Sequence, residues 1–212
     1  MSRAAQGPLP PEQFQELLRQ EAPAFHLALS PETLTAAAAY LSTLDLWRRK
    51  SNLTGNLSAQ ELAEHTLESI LGSQLIAHGE RVVDVGSGAG FPGLPLAIAR
   101  PDLSVALVEP RLKRVAFLKH VARTLRLLNV AVHEARIEEV GGQTFDVAAT
   151  RAVGGLPAWL GDGSLVRPGG ALLAWTTRAR ELSTRLSPGF SLEKTLDVPG
   201  SHSRQIALYR RV

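Results

Sequence analysis

The sequence predicts an α/β fold, an open and mostly parallel sheet with a small helical subdomain ahead of it. Three observations carry that expectation. Val82-Val83-Asp84-Val85 is an apolar run of buried-strand length; it breaks into glycines at alternate positions, Gly86, Gly88 and Gly90, and leads into an apolar helical segment from Leu94 to Ala99. Further apolar strand patterns then alternate with helical ones, as a parallel sheet with crossover helices requires. The first 78 residues, by contrast, carry three helical patterns and no strand. The expected organisation is therefore 1–78 as a helical subdomain laid on the sheet and 79–212 as the ligand-binding domain.

Each element has a local reason. Residues 1–11 are rich in Pro, Gly and Gln and predict loose chain, and Pro11 to Glu21 predicts a helix burying Phe14, Leu17 and Leu18. Ser30-Pro31-Glu32 supplies an N-cap, a first-turn proline and an early acid for a helix to about Lys50. Ser58-x-x-Glu61 is a capping box opening a helix to about Ile76. Leu103 to Val108 reads as the second strand, Arg111 to Leu128 as an amphipathic helix, Val130 to His133 as the third strand and Phe145 to Thr150 as the fourth. Leu156 to Leu165 reads as a helix, Arg167-Pro168-Gly169-Gly170 as a turn and Ala171 to Trp175 as the fifth strand. Phe190 to Val198 and Arg204 to Arg210 close the chain as an antiparallel pair.

The glycine stretch carries the chemistry. A strand, a glycine turn and a helix place a concave backbone and a helix N-terminus at the sheet's C-terminal edge, where open α/β sheets bind ligands. Gly88 to Gly93 formally satisfies the dinucleotide fingerprint G-x-G-x-x-G. Asp84 opposes that reading, because a fixed anion two residues before the first glycine repels a pyrophosphate. A ligand with an amino group or a sulfonium, such as S-adenosylmethionine (SAM), would instead gain a counter-charge. Glu109, at the end of the second strand, is placed to accept both ribose hydroxyls of an adenosine, a device that NAD sites share.

These residues also carry a resemblance. Asp84-Val-Gly86-Ser-Gly88-Ala-Gly90-Phe91-Pro92-Gly93 is similar to the first motif of the bacterial 16S rRNA guanine-N7 methyltransferases, the RsmG or GidB family. Asn52-Leu53-Thr54, Lys113-Arg114-x-x-Phe117-Leu118, Arg136-x-Glu138-Glu139 and Arg151-Ala152-Val153 resemble the family's other motifs, in its order and over residues 47 to 175. The resemblance implies a seven-stranded, Rossmann-like SAM-dependent methyltransferase sheet whose last strand runs against the rest. It implies SAM as cofactor, S-adenosylhomocysteine as product, and 16S rRNA or a small-subunit intermediate as partner. Two departures lie on the substrate side: Glu64 replaces the arginine of an Arg-His-x-x-Asp-Ser signature, in which Glu68 is a conservative replacement of the aspartate, and Thr176-Thr177 replaces a Lys-Gly. They keep open another RNA or a small molecule as acceptor.

Read together, the candidate cofactor residues are Asp84, Gly86, Gly88, Gly90, Phe91, Glu109, Pro110, Arg111, Ile137, Glu138 and Arg151. Ile137 would pack on the adenine, and the main chain or Glu138 would meet its exocyclic amine. Arg151, at the C-terminal end of a central strand, is also the expected substrate-positioning residue, and no general base is expected because guanine N7 has no proton to lose. Arg114 falls inside the apolar arc of its helix, which predicts that it reaches back to a carboxylate or across the cleft. Arg123 and Arg126 share a stripe with Lys119 that fits either a phosphate grip or a solvated face. His65 fits either a hydrogen-bonded packing residue or a substrate-side group.

Composition narrows the classes. The chain has 212 residues, a formal net charge of +3 and no cysteine. That removes disulfides, thiolate metal sites and the covalent cysteine adduct that methylation at pyrimidine C5 needs. No metal site is expected. All but four of the 23 basic residues are arginine, which suits phosphate and guanine recognition as well as it suits a GC-rich genome. No apolar run reaches membrane-spanning length and the N-terminus lacks a secretory apolar segment, so a cytoplasmic protein without a membrane partner is expected. Nothing demands more than a monomer.

Overall fold

The computed structural model describes residues 7–140, 144–151, 165–186 and 189–212. Three helices come first: α1 (Pro11–Glu21), α2 (Pro31–Arg48) and α3 (Ala59–Gly72). Ser30 caps α2 by accepting from the Thr33 amide at 3.1 Å. At α3 the capping box is complete: Ser58 Oγ accepts from the Glu61 amide at 3.1 Å and Glu61 accepts from the Ser58 amide at 2.6 Å. These pairs satisfy donors that a helix start otherwise leaves open. Ser58→Ala is expected to lower stability by about 1 kcal/mol, read as a fall in the denaturation midpoint at unchanged m-value.

The sheet follows, with β1 (Arg81–Val85), β2 (Ser104–Val108), β3 (Val130–His133), β4 (Phe145–Arg151), β5 (Val166–Thr176), β6 (Phe190–Asp197) and β7 (Gln205–Arg211). Helices α4 (Gly93–Ala99), α5 (Leu112–Thr124) and α6 (Ala179–Leu186) connect them. The strand order is β3-β2-β1-β4-β5-β7-β6, with β7 antiparallel to both neighbours. The order reverses between β1 and β4, so the crevice beyond the C-terminal end of β1 is the topological switch point where such sheets take ligands.

The central strands are apolar on both faces, and their two-residue period divides the core. Val82, Val105, Leu107, Val147, Leu173, Ile206 and Leu208 join one buried cluster with α1 to α5. Val83, Ala106, Val108, Ala148, Leu172, Ala207 and Tyr209 join a second with α6.

Three expectations need correction or fall outside the described residues, and one element was not expected. Helix α5 stops at Thr124 rather than Leu128; Arg126 takes a left-handed φ of 53° and Leu128 is exposed, so Arg126 does not share the helical stripe of Lys119 and Arg123. The predicted turn at Arg167–Gly170 lies inside β5 as a bulge, where pairing jumps from Phe145↔Val166 to Val147↔Ala171. The short helix α6 has no counterpart in the expected elements. The helix expected over 156–165 falls, apart from Leu165, outside the described residues, as do Ala152 and Val153. Among the described residues no helix is long and apolar enough to cross a membrane.

Candidate active site

The loop from Gly86 to Pro92 leaves the end of β1 in a tight arch. The amides of Gly86 and Ser87 both donate to the Val108 carbonyl, at 2.9 and 3.1 Å, which ties the arch to the end of β2. Gly86 has φ of 74°, and a Cβ built on it would meet nothing within 4 Å. Its glycine serves the backbone conformation and leaves room above the main chain. Gly93, at the start of α4, serves close packing instead: a Cβ there would lie 2.3 Å from Leu107 Cδ2 and 2.6 Å from Asp84 Oδ2. Gly93→Ala is therefore expected to cost about 3 kcal/mol, the upper end of overpacking, and to disturb Asp84; a melt unchanged from the parent protein would contradict this packing.

Asp84 is fully buried under this loop. Its Oδ2 accepts from the Gly93 amide at 3.1 Å, while Oδ1 is the buried side-chain oxygen left without a hydrogen-bond partner among the described residues. Burial pushes the Asp84 carboxyl up to about 7; hydrogen bonds from Ser87 and the Gly93 amide offset part of that, and the Glu109 charge adds to it. An unpaired buried oxygen of this kind is costly unless something completes it. The donor set that fits is one bringing an N–H and a positive charge, as the amino group of SAM would.

Glu109 closes β2 and is also buried. Its Oε2 accepts from the Gly88 amide at 3.0 Å and its Oε1 from the Arg111 amide at 2.9 Å. Arg114, in the first turn of α5, places NH1 3.6 Å from Glu109 Oε2, so the expectation that it reaches back to a carboxylate holds. Two carboxylates thus flank one glycine loop. That environment favours a cationic nucleoside over the pyrophosphate of a dinucleotide.

A second group of residues meets at the C-terminal end of β4. Arg151 NH2 lies 2.6 Å from His65 Nδ1 and 2.7 Å from Glu68 Oε2, both on α3. Because an arginine always donates, His65 accepts at Nδ1 and carries its proton on Nε2. The Arg151 guanidinium also sits 5.9 Å from the centre of the Phe91 ring, and His65 meets that ring edge-on at 6.0 Å. Glu68 takes a further ion pair from Arg204. Burial alone would raise the Glu68 carboxyl, but the neighbouring His65 ring and the charges of Arg151 and Arg204 outweigh it and hold it below the usual range. Phe91 links both groups, since its ring also packs edge-on against Tyr40, whose hydroxyl donates to the Ala89 carbonyl at 2.9 Å.

The structure therefore brings together Asp84, Gly86, Gly88, Gly90, Phe91, Glu109, Arg111 and Arg114 around the loop, with His65 and Arg151 beside Phe91. Pro110 is exposed just beyond Glu109. Ile137 lies half-buried in a single 3-10 turn after β3, against the core cluster that includes Val83, and Glu138 is exposed next to it. Arg123 and Arg126 are exposed, and no described hydrogen bond or ion pair joins them to the loop. Sequence reasoning gave no role to Tyr40, Arg204 or Trp175, and treated Glu68 only as a conservative replacement. The signals were weak: a tyrosine in an alanine-rich helix and an acid on an apolar helix. Among the described residues no cluster of His, Cys, Asp and Glu could hold a metal.

A sheet in this order with a reversed β7, opened by a glycine arch over a buried acid, has the fold of the SAM-dependent, Rossmann-like methyltransferases. Solved structures agree at the level of fold. A methyltransferase from Geobacter sulfurreducens superposes with a TM-score of 0.59 at 15% identity, covering 82% of this chain and 88% of that one. A SAM-dependent methyltransferase from Aquifex aeolicus gives 0.54 at 18% identity, covering 68% and 87%. Within that class, residues 33–191 match the GidB family model, described as rRNA small subunit methyltransferase G, and the chain belongs to that family. Curated relatives bear the name ribosomal RNA small subunit methyltransferase G. The protein of Wolinella succinogenes is 37% identical over 71% of this chain and 77% of its own length. That of a Roseiflexus species is 34% identical over 93% and 91%. The protein of Mycobacterium leprae (strain TN) is 45% identical, with the match spanning 66% of this chain and 60% of its own.

Proposed function

We propose that this protein transfers the methyl group of SAM to N7 of a guanine in small-subunit rRNA. The observation that carries the cofactor half is Asp84 Oδ1, buried and without a hydrogen-bond partner among the described residues, beneath a glycine arch that Glu109 also flanks. The acceptor is supported by family membership and by the names of its relatives. When bound, SAM supplies a methyl group made electrophilic by its sulfonium. Asp84 and the open backbone at Gly86 would hold the amino-acid end, and Glu109 would meet the ribose through the lone pairs its two amide contacts leave over. Ile137 and Glu138 would face the adenine.

With SAM held there, guanine N7 would supply a free lone pair to the methyl carbon, and the electron pair of the sulfur–methyl bond would stay on sulfur. No proton moves, so no residue need act as a base, and alignment with exclusion of water is the chain's main task. Arg151 retains 18% side-chain exposure and would donate to guanine O6, resisting displacement because Glu68 and His65 hold it from behind. Phe91 supplies an apolar wall beside it.

Thermal shift tests the cofactor half: SAM and S-adenosylhomocysteine should raise the melting temperature and NAD should not. Stabilisation by NAD alone would reverse the assignment. For the acceptor, Lys119 and Arg123 on the exposed face of α5 would meet phosphate. Arg123→Glu should weaken rRNA binding uniformly across sequences and shrink the salt slope by about 1, while an unchanged slope assigns this face to solvent.

A further inference from the structure

One turn of α3 is gripped by three adjacent strands. Arg151 at the end of β4 reaches Glu68 Oε2 at 2.7 Å, and Arg204 just before β7 reaches Glu68 Oε1. Between them, Trp175 near the end of β5 donates its indole N–H to the Glu68 main-chain carbonyl at 3.1 Å. Close approach there depends on Gly72: a Cβ on it would lie 2.4 Å from Trp175 Cζ2. Glu68 itself is 1% exposed. A buried carboxylate shared by two guanidiniums whose strands are one strand apart is more than a helix anchor needs, because the indole hydrogen bond and apolar packing already fasten α3 to the sheet. What the carboxylate adds is direction. Oε2 pulls the Arg151 fork toward α3, where Phe91 and His65 border it, and Arg204 fixes that carboxylate from the opposite side.

We infer that Glu68 is a positioning residue for methyl transfer: clamped by Arg204, it sets the orientation in which Arg151 meets the acceptor base. The inference rests on the reading of Arg151 given above. Because Glu68 acts through Arg151, its loss should affect alignment of the acceptor and leave intact the glycine arch, to which no described hydrogen bond or ion pair joins it. Glu68→Gln keeps the shape and removes the charge that orients the two forks; Glu68→Asp keeps the charge on a shorter arm.

The test is single-turnover methylation of unmodified small subunits, with SAM affinity measured separately. Turnover should fall in the order wild type, Glu68→Asp, Glu68→Gln, the last by about tenfold or more, with SAM affinity within about twofold throughout. The double variant Glu68→Gln/Arg151→Lys should be no slower than Arg151→Lys alone, because both changes remove one function. A merely structural role would instead give additive losses, weaken SAM binding together with turnover, and let Asp fail as badly as Gln; any of these overturns the inference. If Glu68→Gln does not fold, Glu68→Asp decides, since turnover equal to wild type would contradict it. If Arg151→Lys is fully active, the reading of Arg151 fails first; if Arg151→Lys is impaired while Glu68→Gln is normal, only the present inference fails.

Discussion

Asp84→Asn is expected to weaken binding of SAM and S-adenosylhomocysteine by about a hundredfold while making the unliganded protein more stable at neutral pH. The two effects have one cause. In the folded chain the Asp84 carboxyl is held at about 7 by burial, against an ordinary value of 3.8. Below the lower value both folded and unfolded chains carry the proton. Between the two, the unfolded chain releases it and the folded chain keeps it, so stability declines as pH rises across that window and is flat above it. Three pH units correspond to about 4 kcal/mol, which asparagine should largely return because it needs no charge. Ligand binding should show the reverse dependence. An ammonium group is best held by the ionised carboxylate, so wild-type affinity should strengthen about tenfold between pH 6 and 7.5 and level off, and the Asn variant should show no such trend. Calorimetry at several pH values reads both. A pH-independent wild-type affinity, or a variant that binds normally, would remove Asp84 from the cofactor site.

Arg151→Ala should lower turnover by more than about a hundredfold, as lost alignment of the acceptor does. It should also cost about 3 kcal/mol of stability, because it removes one of two guanidiniums from a carboxylate that has almost no access to water. The two losses can be separated. Arg151→Lys retains a positive charge near Glu68 and most of the stability, but a point charge cannot reproduce a planar fork against both Glu68 and a base edge. The variant should therefore melt near the wild-type temperature and still turn over at least tenfold more slowly. If lysine restores turnover completely, Arg151 is only a structural cation.

The glycine arch and the strands around it could be read from sequence because their causes are local. Left-handed backbone at Gly86, Gly88 and Gly90 favours residues without a Cβ, and a strand buried on both faces requires an apolar run such as Val82–Val85, which only Asp84 interrupts. Val130–His133 matched its expected limits because Asn129 and Glu134 are polar punctuation on either side. The end of α5 escaped because a non-glycine residue, Arg126, takes the left-handed conformation, so no helix stop was visible and Leu125 and Leu128 continued the apolar spacing. The bulge in β5 escaped because Arg-Pro-Gly-Gly has the chemistry of a turn, and only pairing with β4 shows that both flanks belong to one strand. The grip on α3 was out of reach for a different reason. Its contacts join Glu68 to residues 83 and 136 positions later, and no spacing rule links positions that only the folded sheet makes neighbours. Arg151 was singled out from its place at a strand end and from the family resemblance, whereas Glu68, which the fold sets against it, was read only as a conservative replacement.

Methyl transfer itself gives the most direct test of the central claim. Purified protein should be incubated with methyl-labelled SAM and small subunits from a strain lacking the gene, and the labelled nucleoside identified after digestion. Label is expected in 7-methylguanosine at a single position of 16S rRNA, where reduction and aniline cleave the chain. Label in another nucleoside, in protein or in a small molecule, or none despite bound SAM, would contradict it.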